Sequence, residues 1–383
     1  MVDIIAPTAG KKFKKLAALS SNLIKEYGIS YFLKVAIYEI KKQKLGLLLP
    51  DPTPKISLER NLDFDTAKSY EHFFKKNLLT LSEDEVENTI KKLNYRPKFT
   101  ILIDSVHLYL TADKKNMKSL IESLQKQSYT DYEIIIFSQD QIGLNESAIE
   151  NIAEIKVVSN INDLLENIQG DFLCILNRGA KLTNDALFKI YRFLNSYLDS
   201  EIIYTDNDYL DKKTTIRSSP FFKPDWDSHL FLSMNYFKPF CIIKTEILKK
   251  LTFDDLSESL PFYDITIRAT EIAKQIMHYS FPICTVLEQY FPVNYNEDVK
   301  KIILNHLHRK EISGIVHQGI MPGTFKIEYA YENKPLVSII IPTKNNERTL
   351  RRCIKSLEEN TTYKNWEIII IDNNSTEKLT KSY

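Results

Sequence analysis

Glycine is scarce in this chain. Nine glycines occur in 383 residues, against an average usage of roughly 7%, which leaves little room for glycine-rich loops that cradle phosphates. Cysteine is sparse and scattered: Cys174, Cys241, Cys284 and Cys353 stand singly, with no CxxC pair. That pattern argues against a disulfide framework or a zinc site and fits a reducing cytosol. Charge of either sign is missing in excess, with 51 Lys+Arg against 50 Asp+Glu. No global basic field therefore invites nucleic acid, and no acidic excess argues for disorder. Long apolar runs are missing too. The most apolar early stretch, 27–40, is cut by Lys34 and Glu39 and falls short of the ~20 residues that a spanning helix needs. The first ten residues lack the basic and apolar regions of a signal peptide. The expectation is a cytoplasmic protein, free or resting on the inner face of a membrane.

What is present suits a globular chain of two or three domains, with 43% hydrophobic and 26% charged residues. Nine lysines crowd the first fifty positions, among them Lys11, Lys12, Lys14 and Lys15, facing only Asp3, Glu26 and Glu39. Apolar residues recur there at helical spacing (Leu16, Leu19, Leu23, then Phe32, Val35, Ala36, Ile40). Two readings stand: a basic amphipathic helix pair in peripheral contact with an anionic membrane, or ordinary helices packed on the main domain. Pro50, Pro52 and Pro54 then end the segment, and a second helical piece over 64–93 leads to Arg96-Pro97. From there the pattern predicts strands over 99–103, 133–137, 155–158, 172–176 and 201–204. Helices over 116–127 and 184–198 fall between them, the latter opened by Thr183 or Asn184 as N-cap. Strand–helix–strand alternation with continuous apolar strands implies an α/β fold with a mostly parallel sheet covered on both faces, binding ligands beyond the carboxyl ends of its strands.

The chain also repeats itself. SLIESLQKQSYTDYEIIIFSQ at 119–139 matches CIKSLEENTTYKNWEIIIIDNN at 353–374, aligning Ser123-Leu124 with Ser356-Leu357 and Glu133 with Glu367. The predicted organisation is an N-terminal helical region over 1–95, a full α/β domain over 96–310, a linker over 311–335, and the opening strand–helix–strand unit of a second domain over 336–383. That last unit is expected to be truncated, with strands that invite aggregation unless something covers them.

The run Val337 to Asn346, VSIIIPTKNN, followed by IIIIDNNS at 368–375, resembles the family-2 glycosyltransferases, inverting enzymes with the GT-A nucleotide-sugar fold. The middle of the chain resembles a bacterial subgroup that carries two such domains in tandem and builds surface polysaccharides of the O-antigen or rhamnan type. Its marks are Tyr204-Thr205-Asp206-Asn207-Asp208, then Pro220-Phe221-Phe222-Lys223-Pro224-Asp225-Trp226 with Asn235-Tyr236. Tyr263-Asp264-Ile265 with Arg268, and Met321-Pro322-Gly323-Thr324, continue the match. The resemblance covers roughly 70–383. It implies transfer of a sugar from a nucleotide diphosphate sugar to a glycan or lipid-linked glycan acceptor, with a divalent metal (Mg or Mn) as cofactor and no nucleic-acid partner.

Such transfer needs a cation against the leaving diphosphate, a carboxylate base for the acceptor hydroxyl and a grip on the nucleotide. The first domain departs from the family at each place. Asn177-Arg178-Gly179-Ala180 stands where the family has its D-x-D turn, although Arg178 is itself a candidate against a phosphate. Phe262 stands at the base position, two residues before Asp264. Ser138 replaces the acid after the second strand, and Gln289 replaces a late histidine.

Asp206 and Asp208 remain, placed by the pattern just past a strand end. They read either as a turn presenting both carboxylates to metal and donor, or as a solvated turn. Asp264 reads either as a fallback base or as a helix N-cap. Trp226, with Lys223 beside it, reads either as an acceptor-sugar platform or as a core anchor. In the second unit, Asp372 and the turn from Pro342 to Asn346 would frame half of a donor nucleotide pocket. Three functional readings follow: a sugar transferase, a catalytically impaired binding or scaffold domain of the same fold, or the product of an interrupted gene.

Overall fold

The computed structural model describes residues 67–77, 82–105, 114–138, 155–177, 179–210, 216–287, 296–330 and 333–383. The basic helix pair expected near the N-terminus, together with Arg178 and Gln289, lies outside the described residues. The chain divides into two compact units, one of 1–306 with 316–326 and the other of 307–315 with 327–383.

The first unit is built on a nine-stranded sheet. Its strands are β1 (Phe99–Asp104), β2 (Tyr132–Phe137), β3 (Ile155–Val158), β4 (Phe172–Asn177), β5 (Ala180–Leu182), β6 (Ile202–Leu210), β7 (Arg217–Phe221), β8 (Phe240–Lys244) and β9 (Ile276–Val286). They lie in the order β3-β2-β1-β4-β8-β6-β9-β5, with β7 on the side of β6. β1 to β4, β6 and β9 run one way and β5, β7 and β8 the other. The fold is mixed α/β with a largely parallel sheet, as the alternating pattern implies. All five expected strands form, and four match their expected bounds to within a residue or so. The exception is the fifth: β6 runs on to Leu210.

Helices α1 (Ala67–Asn77), α2 (Glu83–Lys92), α3 (Lys114–Gln125), α4 (Ile161–Asn167) and α5 (Ala186–Ser196) come from the first half, followed by α6 (Ser228–Ser233), α7 (Thr245–Leu248), α8 (Pro261–Ile272) and α9 (Asn296–Arg309). The single helix expected over 64–93 is two. α2 has its own start, a reciprocal box in which Glu85 N–H donates to Ser82 Oγ and Ser82 N–H to the Glu85 carboxylate. The N-cap of α5 is Asp185 rather than Thr183 or Asn184, and its side chain makes no cap bond. Its carboxylate instead accepts from Thr183 Oγ1 at 2.7 Å and pairs with Lys189 at 2.8 Å.

The core lies on both faces of β1 and β4, whose central residues are sealed from solvent, as expected of strands covered on both sides. One polar knot closes the amino ends of these strands. Thr100 Oγ1 donates to Glu133 Oε1 at 2.6 Å and accepts from Gly170 N–H at 2.9 Å, while Gln169 N–H donates to the same Glu133 oxygen at 2.7 Å. Gly170 O in turn accepts from Thr245 Oγ1 at 2.6 Å. Three thiols, Cys174, Cys241 and Cys284, are buried, and burial pushes the latter two up to about 12.

In the second unit, β12 (Val337–Thr343) pairs in parallel with β13 (Trp366–Asp372). They are joined by α10 (Glu347–Asn360), and α11 (Lys378–Ser382) follows. The order repeats β1–α3–β2, as the sequence repeat implies, but the strands stay bare: Ile340 is 60% exposed and Ile371 51%. Cys353, on α10, is exposed. Between the two repeats the chain passes through β10 (Gly314–Gln318) and β11 (Phe325–Tyr329), which pair with each other.

Gly170 is where backbone approaches backbone. A Cβ there would stand 2.5 Å from Thr100 N and 2.7 Å from Phe99 C, so the strand ends would have to separate. Gly170→Ala is expected to cost about 3 kcal/mol, read as a lowered midpoint in urea unfolding followed by circular dichroism.

Candidate functional site

In an open α/β sheet, ligands bind outside the carboxyl ends of the parallel strands. Here those ends are Asp104 on β1, Ser138 just after β2 and Asn177 on β4. Asn177 N–H donates to Pro239 O at 3.0 Å, which draws the segment before β8 over the strand ends. Phe262 of α8, 4% exposed, packs edge-on against Phe137 with ring centroids 4.9 Å apart. Asp104, Asn177, Asn235, Lys238 and Phe262 line the cavity that is left, and its volume is about 30 Å³. Among the described residues that leaves space for about one water. Asn235 Oδ1 is buried there without a hydrogen-bond partner among the described residues, which suits a single bound water. Asp104 and Lys238 went unnoticed in the sequence, although Asp104 closes a predicted strand.

Asp206 and Asp208 do not lie on a turn. Both sit within β6, 1% and 0% exposed, because β6 continues between β9 and β7 instead of stopping at Tyr204. Asp206 Oδ1 accepts from Lys223 N–H at 2.8 Å and lies 2.8 Å from His278 Nε2. The His278 ring stacks on Tyr204 at 4.8 Å, and its Nδ1 lies 3.7 Å from Asp225 Oδ1. Asp208 Oδ2 accepts from Tyr70 Oη at 2.7 Å and Arg217 Nε at 2.6 Å, and the Arg217 guanidinium lies 3.7 Å over the Phe74 ring. Burial pushes the Asp208 carboxyl up, and Arg217 and Tyr70 oppose that shift. The Tyr70 hydroxyl is pushed well above its ordinary range, first by burial and then by Asp208.

The two aspartates thus have separate partners. A divalent cation takes several oxygens at once, and among the described residues no group of three or more His, Cys, Asp or Glu is arranged to hold one. One carboxylate neutralised by arginine and another fixed by a backbone N–H and a histidine do not fit Mg or Mn.

The other candidates are placed as follows. Asp264 is fully buried: Oδ1 accepts from Arg268 Nε at 2.9 Å and Oδ2 from Ser257 N–H at 3.0 Å. Arg268 also donates to Thr252 O and pairs with Asp255. Asp264 is neither an open base nor the N-cap of α8, which begins at Pro261; it anchors the loop before that helix. Lys223 is buried, with Nζ donating to Lys238 O at 2.7 Å, and burial pulls its ammonium down to about 8. Trp226 is half-buried, its ring 5.4 Å from both Phe231 and Phe237, so much of its face is committed to packing. His278, Arg217 and Tyr70 were missed. Nothing local marks them, since each meets its carboxylate only through tertiary structure.

In the second unit two loops are zipped together at the carboxyl ends of β12 and β13. Asn345 and Asn346 have φ of 54° and 73°, the left-handed region that asparagine tolerates best after glycine. Asn345 Oδ1 accepts from Thr376 N–H at 2.8 Å and Glu377 N–H at 3.0 Å, and Asn345 N–H donates to Ser375 Oγ at 2.7 Å. Asp372, exposed at the end of β13, accepts from Ser375 N–H at 3.2 Å on both oxygens. Thr343, the asparagine turn and Asp372 therefore share one open rim.

That rim falls within residues 338–382, which match the family model described as Glycosyl transferase family 2. That match spans 45 of the chain's 383 residues. Beyond it, the chain is 26% identical over 315 residues to the uncharacterized protein y4gI of Sinorhizobium fredii, covering 75% of this chain and 34% of that protein. It is 25% identical over 313 residues to the O-antigen biosynthesis protein RfbC of Myxococcus xanthus, covering 76% and 24%. The chain thus spans about a third and a quarter of these relatives' lengths. Among solved structures, S. aureus TarS 1–349 in complex with UDP aligns over 55% of this chain and 65% of its own, at 17% identity and TM-score 0.42. The mannosyltransferase PcManGT of Pyrobaculum calidifontis, with GDP-Man and Mn²⁺, aligns over 64% and 74%, at 12% identity and TM-score 0.39.

Two outcomes test the placements in the first unit. Arg268→Met leaves the Asp264 carboxylate buried without its partner and is expected to cost about 3–5 kcal/mol in urea unfolding. Lys223 loses its proton more readily folded than unfolded, so its burial penalises the fold at neutral pH. That penalty is relieved as pH rises from about 8 towards the ordinary lysine range. Lys223→Met should therefore flatten the gain in stability between pH 8 and 10.5 by up to about 3 kcal/mol relative to the parent chain.

Proposed function

We propose that this chain forms part of a glycosyltransferase that moves a sugar, with inversion, from a nucleotide diphosphate sugar to a cell-surface or lipid-linked glycan at the cytoplasmic side of a bacterial membrane. In this reading the donor nucleotide is held by the second unit, at Thr343, the Asn345–Asn346 turn and Asp372. The first unit keeps the architecture without the transfer chemistry and acts as a binding or scaffold module.

One observation carries the division of labour. The cleft where the first unit would hold its donor has a volume of about 30 Å³ among the described residues; Asn177 and Phe262 stand in its lining at the family's metal and base positions, and Asp104 is the one carboxylate there. The Asp372 carboxylate, by contrast, lies at an open strand end beside a turn fixed in shape before any ligand arrives. Transfer then depends on a base supplied by a partner domain or protein, because the acids retained at the family's motif positions in the first unit, Asp206, Asp208 and Asp264, are buried and already paired.

Calorimetry of the whole chain against UDP, dTDP and GDP tests the assignment. Nucleotide binding is expected to weaken at least tenfold, about 1.4 kcal/mol, in Asp372→Ala and to be unchanged in Asp206→Asn. Mn²⁺ should add nothing in either. Binding lost in Asp206→Asn and kept in Asp372→Ala would return the donor to the first unit. No binding of any of the three would sink the nucleotide reading for both.

A further inference from the structure

The two copies of the strand–helix–strand unit carry the same polar pair, complete in one and half-made in the other. In the first copy the pair is Thr100 on β1 and Glu133 on β2, neighbours across the ladder. In the second it is Ser338 on β12 and Glu367 on β13, neighbours in the same way. Thr100 Oγ1 donates to Glu133 at 2.6 Å, and Ser338 Oγ to Glu367 at 2.7 Å. The first pair also receives two backbone N–H groups, from Gly170 on Thr100 and from Gln169 on Glu133, and both side chains are buried. Ser338 and Glu367 are exposed and make no other hydrogen bond or ion pair among the described residues.

The two N–H donors of the first copy belong to the turn that leads into β4. That strand runs parallel to β1, from Phe99 beside Phe172 to Asp104 beside Asn177. The matching edge of β12 is open among the described residues. Val337 N–H donates to Asn365 O, and Asn373 N–H donates to Thr343 O, so Val337 and Thr343 turn their backbone groups towards β13. Backbone groups alternate between the two edges of a strand in a parallel ladder. Those of Ser338 and Ile340 therefore point out at the open edge, as those of Thr100 and Leu102 point at β4. Pro342 has no N–H to offer, so an added strand is held over 338–341 and released beyond. The adjoining face is apolar. Ile340, Ile369 and Ile371 are exposed on it, whereas Leu102, Ile135 and Phe137, at the same places in the first copy, are buried.

We infer that β12 docks a strand of a partner polypeptide, added in parallel as β4 is added to β1, with Ser338 and Glu367 clasping two backbone N–H groups of the turn before it. Main-chain bonds along an open sheet edge give such docking its affinity, and side-chain fit gives its choice of sequence. Two features of the partner segment follow. Its turn carries a glycine, because a Cβ at Gly170 would stand 2.5 Å from Thr100 N. Its strand is apolar throughout, as Phe172 to Leu176 are. The carboxyl end of the docked strand lies at the rim beside Pro342, as Asn177 lies beside Asp104. The docking stands on the comparison of the two copies and not on nucleotide binding at Asp372.

Residues 167–176 of this chain, NIQGDFLCIL, carry both features and supply the probe. A synthetic peptide of that sequence, with a lysine tail for solubility, is added to the whole chain under reducing conditions and followed by hydrogen–deuterium exchange. The expected result is slowed exchange over 337–341. Peptide affinity should fall at least tenfold in Ser338→Ala/Glu367→Ala and be kept in Glu367→Gln, which retains the acceptor oxygen. Both positions are exposed, so the variants should melt with the parent chain. A peptide carrying Gly170→Val should not bind. No slowing at millimolar peptide overturns the proposal. Slowing that is the same with the Gly170→Val peptide, or in Ser338→Ala/Glu367→Ala, marks unspecific contact with the isoleucines and overturns it as well. Exchange over 337–341 that is already slow before peptide is added also overturns it: in a monomer it assigns the edge to another part of this chain, and in a dimer, distinguished by light scattering, to a second copy.

Discussion

Two carboxylates buried two positions apart in one strand set the terms for the first unit. A charge removed from water must be met by an opposite charge or by hydrogen bonds, or it will not stay charged. Asp206 and Asp208 meet this by recruiting distant parts of the chain: Lys223 and His278 for one, Tyr70 and Arg217 for the other. Because Tyr70 comes from α1 and Arg217 from β7, the demand for countercharge fixes an N-terminal helix and an edge strand to the sheet. The stacked rings of Tyr204, Phe237 and His278 then seal the other side.

The two copies of the strand–helix–strand motif show what surroundings do to one pattern. β1 and β2 gain β4 and β3 as neighbours and become core. Among the described residues β12 and β13 pair only with each other, and Ile340, Ile369, Ile370 and Ile371 are exposed. The rims at their carboxyl ends diverge in the same way. The first is closed by Phe262 and the segment before β8, whereas the second keeps an exposed carboxylate beside a pre-set asparagine turn. A shared fold therefore does not make a shared site, and chemistry has to be assigned rim by rim.

Much of this was legible in the sequence. Continuous apolar runs place β1 to β4, and the repeat predicts β12–α10–β13. The aspartates were harder. Thr-Asp-Asn-Asp reads as a turn by composition, because local propensity knows nothing of β9, which pairs with Thr205 to Tyr209 from about seventy residues away. Asp264 was legible as a helix-opening acid but not as one half of an ion pair, although Arg268 stands one turn on.

The distribution of thiols gives this chain a property of practical use. Cys174, Cys241 and Cys284 are buried, and burial raises all three above the ordinary thiol range, so few of them are in the reactive thiolate form. Cys353 is exposed on α10, the helix that links β12 and β13. A thiol-directed fluorophore added to the native, unmutated protein would therefore settle at one position, in the second unit, and report events there while the first unit stayed dark.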